Sequence, residues 1–77
     1  MDLFALKRKL KSMPSYELRI LLDRAELDET EKWLLRYAFI DNRQVKNTCI
    51  KLNISESTYH RMLPVALTKV YYTLKFT

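Results

Sequence analysis

The chain has no glycine, two prolines and one cysteine in its 77 residues. Sheet proteins of this size draw on glycine for the positive-φ positions of their tight turns, so its absence points to helices joined by short polar turns. A lone cysteine, Cys49, leaves no internal disulfide framework and fits a reducing cytosol. No apolar run approaches the roughly 20 residues that span a bilayer. The basic residues at 7–11 lack the apolar stretch that follows them in a secretory leader. His60 is the single histidine, and neither a second histidine nor a cysteine pair stands at metal-ligand spacing. No nucleophile accompanied by a base and an orienting group can be assembled either. These absences predict a cytoplasmic chain that is not an enzyme, with no metal, no cofactor and no membrane partner.

What is present is a hydrophobic fraction of 48%, enough for a core, and a formal charge of +5. That charge is unevenly placed. Residues 1–16 set Lys7, Arg8, Lys9 and Lys11 against Asp2; residues 17–32 are net acidic; residues 33–77 are again basic. A basic half beside an acidic segment suits a protein that turns one face to a polyanion, and also describes an ordinary soluble basic protein.

Helical periodicity runs along the chain. Leu3, Leu6, Leu10 and Met13 fall on one face of a first helix over residues 2–13, with lysines behind them. Its length, with Phe4 as its one aromatic, argues against a membrane-surface role. Pro14 suits the first turn of a second helix, whose face is Leu18, Leu21, Leu22 and Ala25 and whose end falls near Leu27. Asp28 and Glu31 have capping-box spacing, which gives the acidic segment a structural purpose. A third helix then runs to about Ile40 with Trp33, Leu34, Tyr37 and Ile40 inward, and Asp41-Asn42 signals a turn. The expected fold is all-α: a single domain of about five helices, with residues 1–27 as N-terminal helices and residues 28–77 as a helix-turn-helix region with a C-terminal helix.

The informative stretch is Arg43 to Leu63. Val45, Thr48, Cys49 and Leu52 form one stripe of a short helix. Asn53 tolerates the left-handed conformation that a tight interhelical turn demands. Ile54 supplies an apolar plug, Ser55 an N-cap, and Tyr59, Met62, Leu63 and Ala66 the inward stripe of the following helix. Cys49 is small enough to let that helix cross closely. The alternative is a helix hairpin with an incidental likeness to the motif. Pro64 removes a hydrogen bond to the His60 carbonyl, so the spacing predicts a kink or break, with a short helix over 56–63 and a final one over 65–75. Val70, Tyr71, Leu74 and Phe76 make that end apolar, suited to closing the core or to a homodimer through the C-terminal helix.

Tyr37, Leu52-Asn53-Ile54-Ser55, Thr58-Tyr59, Arg61 and Ala66-Leu67 resemble the C-terminal domain of ArpU- and RinA-type phage late-operon transcriptional regulators, a domain similar to region four of bacterial sigma factors. The likeness covers residues 28–75, and Pro64 departs from its pattern. It implies a phage- or prophage-encoded regulator of transcription that binds double-stranded DNA.

In a helix-turn-helix the second helix enters the major groove by its N-terminal residues. With Tyr59 inward, the base-edge candidates are Ser57, Thr58, His60 and Arg61; Arg61 leads, because a guanidinium bonds guanine O6 and N7 together. Arg43, Lys46, Asn47, Lys51 and Ser55 are the phosphate candidates, set against plain solvated surface. Glu56 is better placed to favour the helix N-terminus than to read cytosine. Two other functions share these features. One is an adaptor that binds RNA polymerase, a sigma factor or another part of the host transcription machinery. The other is a DNA-recognition subunit of phage packaging machinery, which would form rings.

Overall fold

A computed structural model describes residues 2–75 as five α-helices: α1 (Leu3–Ser12), α2 (Ser15–Arg24), α3 (Glu29–Leu35), α4 (Val45–Leu52) and α5 (Glu56–Lys75). A π-helical segment, Arg36–Ile40, continues α3. The chain is thus the small all-helical bundle that its composition implies. α5 is the central element and touches each of the other four helices.

Local chemistry starts most of these helices. The Asp2 carboxylate accepts from the N–H groups of Phe4 and Ala5, which would otherwise lack partners in the first turn of α1. Pro14 enters α2 in extended conformation and spends its missing N–H where no helical bond is needed. α2 ends at Arg24, slightly before the expected Leu27, because Ala25 turns to an extended conformation while its N–H still reaches the Leu21 carbonyl. The capping box of α3 is complete: Glu31 N–H donates to Asp28 Oδ1 at 2.8 Å and Asp28 N–H donates to Glu31 Oε1 at 3.0 Å. The same Glu31 oxygen accepts from Lys69 Nζ at 2.7 Å, tying the start of α3 to the middle of α5. Glu31 is buried, so this one carboxylate is both a cap and an anchor. The hydrogen bond to Glu31 raises the Lys69 amine above its ordinary value of 10.5, against a smaller opposing effect of burial.

The core gathers Leu6 and Leu10 from α1, Leu18, Leu21 and Leu22 from α2, Leu34 and Leu35 from α3, and Ala66, Leu67 and Val70 from α5. Fully burying one such leucine is worth roughly 1.5–3 kcal/mol. The apolar end of α5 therefore closes over the N-terminal helices, as Val70 shows by its complete burial; Phe76 lies outside the described residues.

Two expectations are corrected. Pro64 does not break the helix: α5 is continuous from Glu56 to Lys75 with Pro64 inside it. Pro64 and His60 are both exposed, so the carbonyl left without its helical partner lies on the solvent side, where its loss is least costly. Packing of Tyr59 before it and of Ala66, Leu67 and Val70 after it then holds the helix together. The inward face of α3 also differs from Trp33, Leu34, Tyr37 and Ile40. Leu34 is fully buried, but its companions are Glu31, Leu35 and Phe39, while Trp33 is exposed and Tyr37 and Ile40 are half-buried. Apolar residues surround this segment on nearly every side, so periodicity alone leaves its phase open. The π turn contributes: Asp41 N–H reaches back five residues to the Arg36 carbonyl, and the wider turn brings Phe39 over the core.

Candidate functional site

α4 and α5 are joined by Asn53, Ile54 and Ser55. Asn53 stands in the left-handed region at φ 57° and ψ 47°, and its N–H closes on the carbonyls of Cys49 and Ile50. Ile54 N–H also donates to the Cys49 carbonyl. With no glycine in the chain, asparagine takes both positive-φ positions among the described residues, the other being Asn42 before α4. Asparagine is the side chain that best tolerates this conformation, so the turn is locally encoded. Ile54 is half-buried against the core beneath the turn.

Ser55 then starts α5. Its hydroxyl accepts from Thr58 N–H at 3.1 Å and donates to Thr58 Oγ1 at 3.0 Å. This is the N-cap expected of it, and it commits the one hydroxyl proton of Ser55 inside the protein. Thr58, accepting that proton, keeps its own for an external acceptor.

Cys49 and Thr48 are buried on the inner side of α4, and Tyr59 on that of α5. Burial, with the nearby Glu56 carboxylate, pushes the Cys49 thiol up; burial, and then Cys49, does the same to the Tyr59 phenol. A thiol held in its neutral form is a packing group and a poor nucleophile. The Thr48 hydroxyl finds no hydrogen-bond partner among the described residues.

Beyond this buried seam the base-edge candidates stand on the outer side. Ser57, His60 and Arg61 are exposed, spaced three and four residues apart on one face of α5, and Thr58 is half-buried beside them. The His60 ring lies edge-on to Tyr59 with centroids 5.4 Å apart. The phosphate candidates separate into two places. Lys46 and Ser55 border a cleft with Ile50, Asn53 and Glu56, whereas Arg43 and Asn47 border another with Asp41, Asn42 and Gln44. Lys51 is exposed on α4. Arg43 is not a free surface cation. Its Nη1 donates to Asn47 Oδ1 at 2.8 Å, its Nε lies 3.8 Å from Asp41, and its guanidinium sits 5.4 Å from the Tyr37 ring centroid.

Sequence reasoning passed over two features. Ile50 is a large apolar side chain, 73% exposed, on the outer face of α4. Arg36 rests its guanidinium 4.5 Å from the Trp33 ring centroid, and Trp33 lies 5.5 Å from Tyr37. The signal for the second is the spacing of Trp33, Arg36 and Tyr37 along one helix, which the several apolar stripes of this segment obscure.

Among the described residues, no group of three or more histidines, cysteines or carboxylates is placed to hold a metal ion, and no helix is long and apolar enough to cross a membrane. The chain belongs to the family described as Protein of unknown function (DUF1492), whose model matches residues 5–71, from α1 into the last turns of α5. No curated protein and no solved structure matches it.

Proposed function

We propose that this member of the family binds double-stranded DNA as a sequence-specific transcriptional regulator, with α4 and α5 acting as a helix-turn-helix and α5 entering the major groove by its first turns. The observation that carries the reading is the left-handed Asn53 turn, followed by a helix that buries Tyr59 and leaves Ser57, His60 and Arg61 exposed. A rigid helix projecting donors from its N-terminal turns is what major-groove readout requires. Lys46 and Lys51 on α4 supply positive charge for the flanking phosphates. The likeness of residues 28–75 to ArpU- and RinA-type regulators supports a role in phage or prophage transcription.

The test is selection of random duplexes by the purified protein, followed by binding measurements on the enriched site. Wild-type protein recovers one site, and Arg61→Ala loses about 10-fold or more of the preference at one base pair, the range expected for a bidentate guanine contact. Equal binding to all duplexes, with no effect of Arg61→Ala, refutes sequence-specific reading.

A second reading is an adaptor for host transcription machinery. Ile50 and Val65 favour it, being exposed apolar side chains on the α4–α5 unit. It predicts stoichiometric binding to purified RNA polymerase holoenzyme, weakened by Ile50→Lys, with no duplex binding at low salt.

A further inference from the structure

We propose that Arg36 and Arg43, set over the rings of Trp33 and Tyr37, form a second anion-binding ridge that grips the DNA backbone beside the groove entered by α5. This rests on the DNA-binding reading above and extends the contact surface to α3 and the π segment.

The geometry is a row of alternating cations and rings. The Arg36 guanidinium lies 4.5 Å from the Trp33 ring centroid, Trp33 lies 5.5 Å from Tyr37, and the Arg43 guanidinium lies 5.4 Å from Tyr37. Cations within about 6 Å of an aromatic face are attracted by the negative potential of the ring. Such a cation loses rotamer freedom before any ligand arrives. A long arginine otherwise forfeits up to ~2 kcal/mol of side-chain entropy when it is fixed. Arg43 is fixed twice over, since Asn47 accepts from its Nη1 at 2.8 Å.

Neither guanidinium is fully spent. Arginine carries five N–H donors. Attraction to a ring face does not take up a hydrogen-bond acceptor's place on those donors. Nη1 of Arg43 gives one hydrogen to Asn47, and the Asp41 carboxylate stands 3.8 Å from Nε, which makes no hydrogen bond among the described residues. The remaining Nη hydrogens of Arg43, and the donors of Arg36, are of the kind that pairs bidentately with phosphate oxygens. The hydrogen bond from Arg43 to Asn47 ties the ridge to α4, the first helix of the proposed DNA-binding unit. The π turn matters here because it belongs to the segment that leaves Arg36 and Tyr37 half-buried while Phe39 is buried. Such turns are rare and recur at functional sites.

The experiment measures binding to a duplex recovered by the selection above, across a series of salt concentrations. Each phosphate contact contributes about 0.9 to the slope of log K against log salt. Arg36→Gln and Arg43→Gln are each expected to flatten the slope by about one and to weaken binding roughly 5- to 10-fold, with the preferred sequence unchanged. Tyr37→Leu weakens binding with both arginines still present, and Tyr37→Phe restores it, since a phenyl ring keeps the stack. A merely structural role for Tyr37 would shift the melting temperature without altering the slope. Lys9→Gln on α1 removes the same charge away from the ridge and should leave the slope as it is. The ridge is overturned if Arg36→Gln and Arg43→Gln leave the slope intact while Arg61→Ala still abolishes selectivity; that outcome spares the DNA-binding reading. It is equally overturned if Lys9→Gln flattens the slope as much, because net charge alone then explains the loss. A wild-type protein that binds no duplex overturns both proposals together.

Discussion

The two halves of α5 do opposite work within one unbroken helix. Before Pro64, the helix buries Tyr59 and turns Ser57, His60 and Arg61 to solvent. After it, Ala66, Leu67 and Val70 are completely enclosed by α1, α2 and α3. The first half is held chiefly by the short α4 and a hydroxyl cap; the second is the centre of the core. A small domain thus anchors its exposed helix through the far end of that same helix. Rigidity of the exposed half is supplied from outside it, by packing two turns away.

The sharpest way to break this contrast is to empty the anchor. Leu67→Ala is expected to cost about 3 kcal/mol, within the range for leucine truncation in a core, and to lower the thermal midpoint by more than 10 °C in a domain this small. Thermal unfolding followed by circular dichroism should show both halves of α5 lost in one transition. A separate, earlier loss of residues 56–63 would show that they are not anchored in this way. Pro64→Ala probes the junction itself. Restoring the missing N–H where the surface is open should stabilise the protein by about 1–3 kcal/mol, as the helix propensities of the two residues imply. A destabilised Pro64→Ala would mean that the proline is required where the two halves meet.

Smaller effects test the turn and the link between α3 and α5. Asn53→Ala should cost about 1 kcal/mol, the penalty for a Cβ without local polar compensation in the left-handed region, whereas Asn53→Gly should be neutral or slightly stabilising. Chemical denaturation of the pair measures the difference, and equal losses in both would show that the Asn53 side chain matters beyond its backbone tolerance. The smallest effect concerns Lys69. Its folded-state pKa is raised, chiefly by the hydrogen bond to Glu31, so its contribution to stability is fully present below the ordinary value of 10.5 and fades as pH climbs through the higher folded value. Stability of wild type should therefore decline above that pH more than stability of Lys69→Met. Parallel curves for the two proteins would contradict the linkage.

Features written in short-range chemistry were legible in the sequence. The capping box at Asp28 and Glu31, the Ser55 cap, the left-handed Asn53 and the stripes of α1, α2 and α4 each depend on residues a few positions apart. The continuity of α5 was not, because the local penalty at Pro64 is offset by burial of Leu67 and Val70 against helices far away in sequence. The face of α3 was not either, because Trp33, Leu34, Leu35, Tyr37 and Phe39 offer several apolar stripes. Of the candidate site, the exposed row Ser57, His60 and Arg61 followed from helical phase once Tyr59 was taken as inward. Arg43 was named for its charge, but its fixation by Tyr37 and Asn47 was invisible. The pairing of Arg36 with Trp33 was not legible, because helical spacing also allows Trp33 to face the core.

The amino-acid sequence by itself determined where helices start and turn, because a side-chain cap, a proline just before a first turn and a left-handed asparagine act through their own neighbours. Tertiary structure alone decided which side of α3 faces inward, whether α5 runs through its proline, and that Lys69 meets Glu31 across 38 positions of chain. The physical reason is that local hydrogen bonds are counted within a few residues, whereas burial is a choice among competing faces, made only when all five helices pack together.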